Sequence, residues 1–362
     1  MEQISRIGMD TSKHVFQVHG VDGSEQPVLT RKLKRDAMVA FFGTLAPTVV
    51  AIEACGAAHH WARTLGAMGH TVKLIAPQLA KPYVKRGKND AADAAALCEA
   101  MSRPTMRFVP TKTADQQAAL MLASARERLV RARTQLANTI RGHAAEFGLA
   151  ANTGLAHVAP LLARIAADTS GPACMPALAR ALFADLACEF AQIDARVAAA
   201  DARLRAWHRA SEASQRLAKV PGIGPVTASL LVMKVADPKA FKTGRDFAAW
   251  LGLTPRDHST AGKVRAGGIT RAGDEGLRSL LVVGATSVIR QVRITADRPK
   301  AVPPAPSQPA PGASWLERLL ARKAPKLAAV AQANKTARIA WRLLASGADY
   351  NPTHGQPKPL AA

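Results

Sequence analysis

Three stretches near the start of the chain, Ser5–Asp10, Val15–Gly20 and Val28–Lys34, alternate apolar with polar residues or carry β-branched side chains, and each predicts a strand. Arg35–Leu45 carries a helical pattern. Thr48–Glu53 (TVVAIE) is a short buried strand, His59–Met68 a helix and Val72–Ala76 another strand. Asp90–Met101 is an Ala-rich helix, and Met106–Pro110 a last extended piece. Residues 1–111 therefore read as an α/β domain. Residues 112–218 read as almost wholly helical. In Asp115–Phe147 the apolar residues Leu122, Leu129, Leu136 and Ile140 recur at helical spacing among Arg126, Arg128, Arg131, Arg133 and Arg141, and Met175–Leu217 has the same composition. Such helices suit a coiled-coil-like arm and suit an ordinary bundle equally well. Residues 219–362 make a mainly helical C-terminal part. It begins with a Gly-rich, basic unit to residue 295, continues through a Pro-rich linker or insert at 297–313 to which no function attaches, and ends in a basic helical pair, Trp315–Ser346, and a loose tail after Tyr350.

Composition sharpens this picture. The chain has 362 residues, 48% hydrophobic but only 4% aromatic, so Ala-rich helices in close contact must build much of its core. Lys and Arg number 49 against 26 Asp and Glu, a formal net charge of +23. An excess of that size repels itself unless a polyanion neutralises it, and nucleic acid is the usual partner because phosphate contacts release counterions. The four cysteines show no CxxC spacing, so neither a zinc site nor a disulfide framework is expected. No apolar run approaches the roughly eighteen residues of a membrane span, and MEQISRIGMD lacks an apolar signal core. A cytoplasmic, nucleoid-associated protein is expected.

Acids are scarce, so their positions matter. Asp10 ends the first strand and Glu53 the fourth, while Asp90 and Asp93 lie three apart on one face of a helix. Strand ends at one edge of a sheet, with an adjacent helix, can bring all four together. Their mutual repulsion is then relieved by a divalent cation, Mg²⁺ or Mn²⁺, which takes hard carboxylate oxygens and supports phosphodiester chemistry. Singly each acid also has a structural use: Asp10 as a turn cap, Glu53 as a solvated strand end, Asp90 as a helix cap with Asp93 in the first turn.

In the C-terminal part, VPGIGPVTA places Gly222 and Gly224 in a tight turn before a helix, a helix-hairpin-helix-like element that can present backbone N–H groups to a phosphate. Lys242, Arg245, Arg256, Lys263, Arg265, Arg271 and Arg278 then make a basic surface, interspersed with Gly252, Gly262, Gly267, Gly268 and Gly273 that let a backbone approach a ligand.

These segments resemble a known family. MDTSK on the first strand, the Glu after the fourth and the K-x-D-x-x-D-A helix are similar to the RuvC-like, ribonuclease-H-fold domain of DEDD-type insertion-sequence transposases, a family that includes the Piv invertases and bridge-RNA-guided recombinases. GLTPR, the Ser-Thr pair, the Gly-rich basic run, ITRAGD and the following L-R resemble that family's C-terminal domain, with Ala261 where a second Gly is usual. Arg133–Gly148 and Ala333–Pro352 also resemble it, so the likeness spans nearly the whole chain. The resemblance implies Asp10, Glu53, Asp90 and Asp93 as an acidic metal-binding tetrad and Ser259 as a serine nucleophile. It further implies donor and target double-stranded DNA and a structured guide RNA as partners. Joining two duplexes needs at least two active sites, which points to a homodimer or homotetramer. Two other functions fit the residues: a junction-resolving nuclease that uses water, and a nucleic-acid-binding protein without catalysis.

Overall fold

The structure is a computed structural model in which residues 4–84, 89–167, 175–263, 265–296 and 314–352 are described. The Pro-rich segment 297–313, Lys88 of the K-x-D-x-x-D-A motif, Cys174 and the end of the tail from 353 lie outside the described residues. The chain divides into two compact units, Met1–Gln117 and Ala118–Ala362.

The first unit is built on strands β1 (Arg6–Thr11), β2 (Val15–Val21), β3 (Pro27–Lys34), β4 (Val49–Glu53), β5 (Thr71–Ile75) and β6 (Phe108–Val109), in the sheet order β3-β2-β1-β4-β5-β6. β1, β2 and β3 are antiparallel neighbours, β4 and β5 run parallel to β1, and β6 returns antiparallel at the edge. Helices α1 (Met38–Gly43), α2 (Ala58–Ala67), the short α3 (Pro77–Ala80) and α4 (Asp90–Ala100) complete it. The expected helix over Arg35–Leu45 is shorter, because Arg35–Ala37 forms a 3₁₀ turn first. Side chains alternate across a strand, so Ile7, Met9, Phe16, Val18 and Ile52 pack on one face with Phe42, Trp61 and Leu65. The opposite face, with Val21, Ala51 and Ile75, packs on Leu97, Cys98 and Met101 from and just beyond α4. A mixed sheet flanked by helices agrees with a RuvC-like domain.

The second unit is helical. It comprises α5 (Ala114–Glu146, which begins in the first unit), α6 (Val158–Ala167), α7 (Ala177–Ala210), α8 (Glu212–Ala218), α9 (Pro225–Lys234), α10 (Gly244–Trp250), the strands β7 (Pro255–Asp257) and β8 (Ala266–Ile269), and α11 (Glu275–Ala296), α12 (Trp315–Leu320) and α13 (Pro325–Ser346). α5 and α7 are antiparallel: Arg126 pairs with Asp201 and Arg133 with Asp194, around an apolar contact of Leu129 with Val197 and Ala200. The stretch read as one helix to Leu217 breaks at Ser211, whose hydroxyl accepts the Ser214 N–H and starts α8. Ala119, Ala123, Leu204 and Leu217 belong to the same apolar core as α9, α11 and α13, so the base of the long helices is continuous with the C-terminal part. The β7–β8 ribbon was not anticipated. Its residues are almost all exposed, so no alternation marks it in the sequence.

Candidate metal centre and serine ribbon

Asp10 and Glu53 reach the same end of the sheet for a topological reason. β1 and β4 run parallel with Met9 opposite Ile52, so Asp10 and Glu53 are the next residues along adjacent strands. Asp10 shares its face with Gly8, and α4 lies directly on that face. A Cβ at Gly8 would be 2.0 Å from the Ala94 carbonyl oxygen and 2.5 Å from the Cys98 nitrogen. At the other end of the contact the Arg6 guanidinium donates to the Cys98 carbonyl at 3.1 Å. Cys98 thus lies by Arg6 and Ala94 by Gly8, so α4 runs antiparallel to β1. Four helical residues rise about 6 Å and two strand residues about 6.7 Å. The next step along both elements therefore brings Asp90 to Asp10.

Asn89 makes that step productive. It is the N-cap of α4, and its side chain accepts the Ala91 N–H at 3.0 Å. The capping use open to Asp90 in the sequence is taken by its neighbour, leaving the Asp90 and Asp93 carboxylates in the first turn. One oxygen from each of Asp10, Asp90 and Asp93 lies within 4.8 Å of the others. Glu53 stands outside this trio of ligand atoms, yet its charge acts on Asp10. Burial first, then the charges of Asp90, Asp93 and Glu53, push the Asp10 carboxyl up to about 6, against a lowering contribution from the Thr11 backbone N–H. The donor set is all carboxylate oxygen, the kind Mg²⁺ and Mn²⁺ take. Opposite oxygens around such an ion are about 4.2 Å apart, so a small inward movement suffices.

Ser259 is presented differently. It follows β7 in the hairpin whose strands pair Pro255 with Ile269 and Asp257 with Ala266. Its backbone N–H donates to Asp257 Oδ1 at 2.9 Å, and its Oγ accepts the Arg265 N–H at 3.1 Å. The Ser259 hydroxyl and then its backbone N–H hold the exposed Asp257 carboxyl below the usual carboxylate range. The hairpin is narrowed by the reciprocal backbone pairing of Thr260 with Lys263. Ala261, at the position where glycine is usual, adopts φ 46°. The base of the ribbon is fixed by backbone packing: Gly252, at φ +71°, approaches Ala272 so closely that a Cβ would lie 2.2 Å from its oxygen. The Arg271 N–H donates to Gly252 O at 3.1 Å, and the Arg278 guanidinium donates to the Leu251 and Ala272 carbonyls.

The remaining basic residues separate into two groups. Lys242, Arg245, Arg256, Lys263, Arg265 and Arg271 are exposed, and none of their side chains is in a salt bridge among the described residues. Arg278 is occupied by the two carbonyls above. The two hairpin glycines also divide. Gly222 faces the protein, since a Cβ there would meet the Gly284 backbone at 3.1 Å, whereas Gly224 stands open at the N-cap of α9. Sequence spacing alone did not reveal the contact of Gly222 with a residue 62 positions away. No helix among the described residues is long and apolar enough to cross a membrane.

Known proteins place this arrangement. A family described as Transposase IS116/IS110/IS902 matches residues 214–299, which include the serine ribbon, and a DEDD-type IS110 transposase domain matches residues 7–147, which include all four acids. A putative transposase of Sinorhizobium fredii is 62% identical over 98% of this chain and 88% of its own length. A probable family 20 transposase of Pseudomonas aeruginosa is 48% identical over 96% of this chain and 99% of its own. The transposase for insertion sequence element IS1111A of Coxiella burnetii is 37% identical over 97% and 92%. With acids and serine ribbon inside the matched segments and the likeness running nearly end to end, the chain belongs to the IS116/IS110/IS902 family of insertion-sequence transposases.

Proposed function

We propose that the protein cuts and rejoins donor and target double-stranded DNA, with Asp10, Asp90 and Asp93, assisted by Glu53, holding Mg²⁺ or Mn²⁺ and with Ser259 as nucleophile. The observation that carries the reading is the convergence of three aspartates in a chain of net charge +23. A divalent cation held there would supply polarisation of a phosphodiester. Ser259 Oγ forms a bond to phosphorus as the bond to the 3′-oxygen breaks; the serine loses its proton and the departing 3′-oxygen gains one. The phosphoserine link conserves the bond energy, so a 3′-hydroxyl on the partner strand can reverse the step. The exposed cations Lys242, Arg245, Arg256, Lys263, Arg265 and Arg271, with the open Gly224 turn, supply DNA phosphate contacts.

A homodimer or homotetramer and a structured guide RNA complete this reading, along with a division of labour among residues 1–111, 112–218 and 219–362. The spacing of the aspartates favours one competing function, a junction-resolving nuclease in which the same acids activate water. A denaturing gel for a protein–DNA adduct separates the two. The adduct is expected with the wild type and is lost in Ser259→Ala and in Asp93→Asn, with strand exchange reduced about 10³-fold or more. Strand exchange retained in Ser259→Ala sinks the serine mechanism. Retained in Asp93→Asn, it sinks the metal site.

A further inference from the structure

Gln17 and Trp61 are the residues of the first unit that bury a side-chain polar atom without a hydrogen-bond partner among the described residues, and only Gln17 lies on the face that α4 covers. Gln17 lies in β2 between Phe16 and Val18 and is only 4% exposed, yet its Oε1 has no hydrogen-bond partner among the described residues. A buried amide oxygen in that condition has lost its water and gained nothing. Its register says what lies beside it. Gln17 pairs with Asp10 on β1 and with Lys32 on β3. Directly paired residues project to the same face with Cβ atoms about 5 Å apart. The face is the one α4 covers, where Asp90 and Asp93 approach Asp10. One row across the sheet therefore runs Lys32, Gln17, Asp10, and then Glu53 on β4.

We infer that Gln17 belongs to the cation site, where its amide oxygen accepts a hydrogen bond from a hydrated divalent cation held by the aspartates. The inference rests on the proposed metal reading of those acids. An amide oxygen is a hard, neutral acceptor. It adds no negative charge to a cluster already crowded with it, and it can accept a hydrogen bond from a metal-bound water and so orient it. Gln17 is thus a positioning residue: it acts on the bound water and on the Asp10 side of the site, leaving covalent chemistry to others.

The test uses the full chain and Mn²⁺ alone, read by calorimetry and by melting temperature with and without chelator. Gln17→Leu and the near-isosteric Gln17→Met are compared with wild type and Asp93→Asn. Both Gln17 variants are expected to weaken Mn²⁺ binding by about 10- to 100-fold. In chelator both are expected to melt at or above the wild-type temperature, because an unsatisfied buried oxygen has been removed. A lower melting temperature in chelator for both variants would mean the amide has a partner within the protein, and wild-type Mn²⁺ affinity would mean it has no part in the site; either overturns the inference. Failure of the underlying reading looks different: wild type itself then binds no Mn²⁺, and Asp93→Asn changes nothing.

Discussion

Gly8→Ala tests whether the contact between α4 and β1 builds the acidic site. The added Cβ would be 2.0 Å from Ala94 O, 2.5 Å from Cys98 N and 2.9 Å from Cys98 Cβ. Ordinary carbon–oxygen contacts begin near about 3.3 Å, so the helix must retreat by roughly 1.3 Å. The nearest obstacles are backbone atoms of a helix, which cannot swing aside as a long side chain can. Overpacking of this kind costs about 1–3 kcal/mol, which for a unit of this size lowers the melting temperature by about 4–15 °C. The chemical consequence is larger. Asp90 and Asp93 move with the helix while Asp10 stays on the sheet, so the oxygens now within 4.8 Å of one another spread apart. Displacements near 1 Å cost about 10² in rate. The assay is melting with and without Mn²⁺, followed by nicking of supercoiled plasmid. Gly8→Ala should melt lower, lose most of its Mn²⁺-induced stabilisation and nick at least about 10²-fold more slowly. Gly66→Ala is the control, since a Cβ there meets nothing within 4 Å inside α2, and it should be neutral or stabilising by up to about 1 kcal/mol. If Gly8→Ala melts like wild type and keeps its response to Mn²⁺, the helix does not bear on the strand as described and the site's geometry is not fixed by this contact.

The Asp10 carboxyl, raised from 3.8 to about 6, sets a pH window. Because the folded state holds this proton more tightly than the unfolded state, its stabilising contribution is complete below pH 3.8 in chelator and is lost as pH rises through about 6. Cation binding needs the ionised form, so Mn²⁺-induced stabilisation should grow between about pH 5 and 7, and a flat profile in calorimetry would contradict the shift. Ala261→Gly should stabilise the serine hairpin by about 1 kcal/mol by relieving φ 46°, as read by proteolysis of the loop. Gly252→Ala should do the reverse and abolish strand exchange, because its Cβ would lie 2.2 Å from Ala272 O.

The elements of the first unit were legible because the sheet buries both faces and its strands announce themselves. Asp10 and Glu53 were legible as scarce acids at strand ends, and Asp90 and Asp93 as a helical pair. What the sequence withheld were relations between elements. Asn89 and Asp90 are adjacent, equally good caps, and only the entry angle of α4 selects Asn89. The VPGIG turn reads as phosphate-facing, whereas Gly222 packs against the Gly284 backbone, 62 positions away. The β7–β8 ribbon was invisible because its residues face solvent and bury no periodic set. Gln17 carried a usable signal, a polar residue of the same strand parity as Asp10 across a short hairpin, but its value depended on knowing the register.

Three features of the sheet face under α4 each run against folding stability. The Asp10 carboxyl is held protonated to about 6 by burial and three neighbouring acids. Gln17 Oε1 is buried without a partner among the described residues. Gly8 gives up conformational entropy in a strand where any side chain would stabilise packing were the helix not so close. Each alone is tolerable, and Trp61 Nε1, on the opposite face of the sheet, is likewise buried without a partner among the described residues. What distinguishes these three is that they share the face α4 covers, Asp10 and Gln17 in one register row and Gly8 two residues before Asp10. Violations of local rules that coincide in space have a common cause when one ligand reverses all of them. On the proposed reading, a hydrated divalent cation would neutralise the acids and give the amide oxygen its hydrogen bond, and Gly8 would serve it by letting α4 bring Asp90 and Asp93 close to Asp10. A purely structural role for the acids explains none of the three together, because removing the negative charge would relieve the first and leave the other two without a reason.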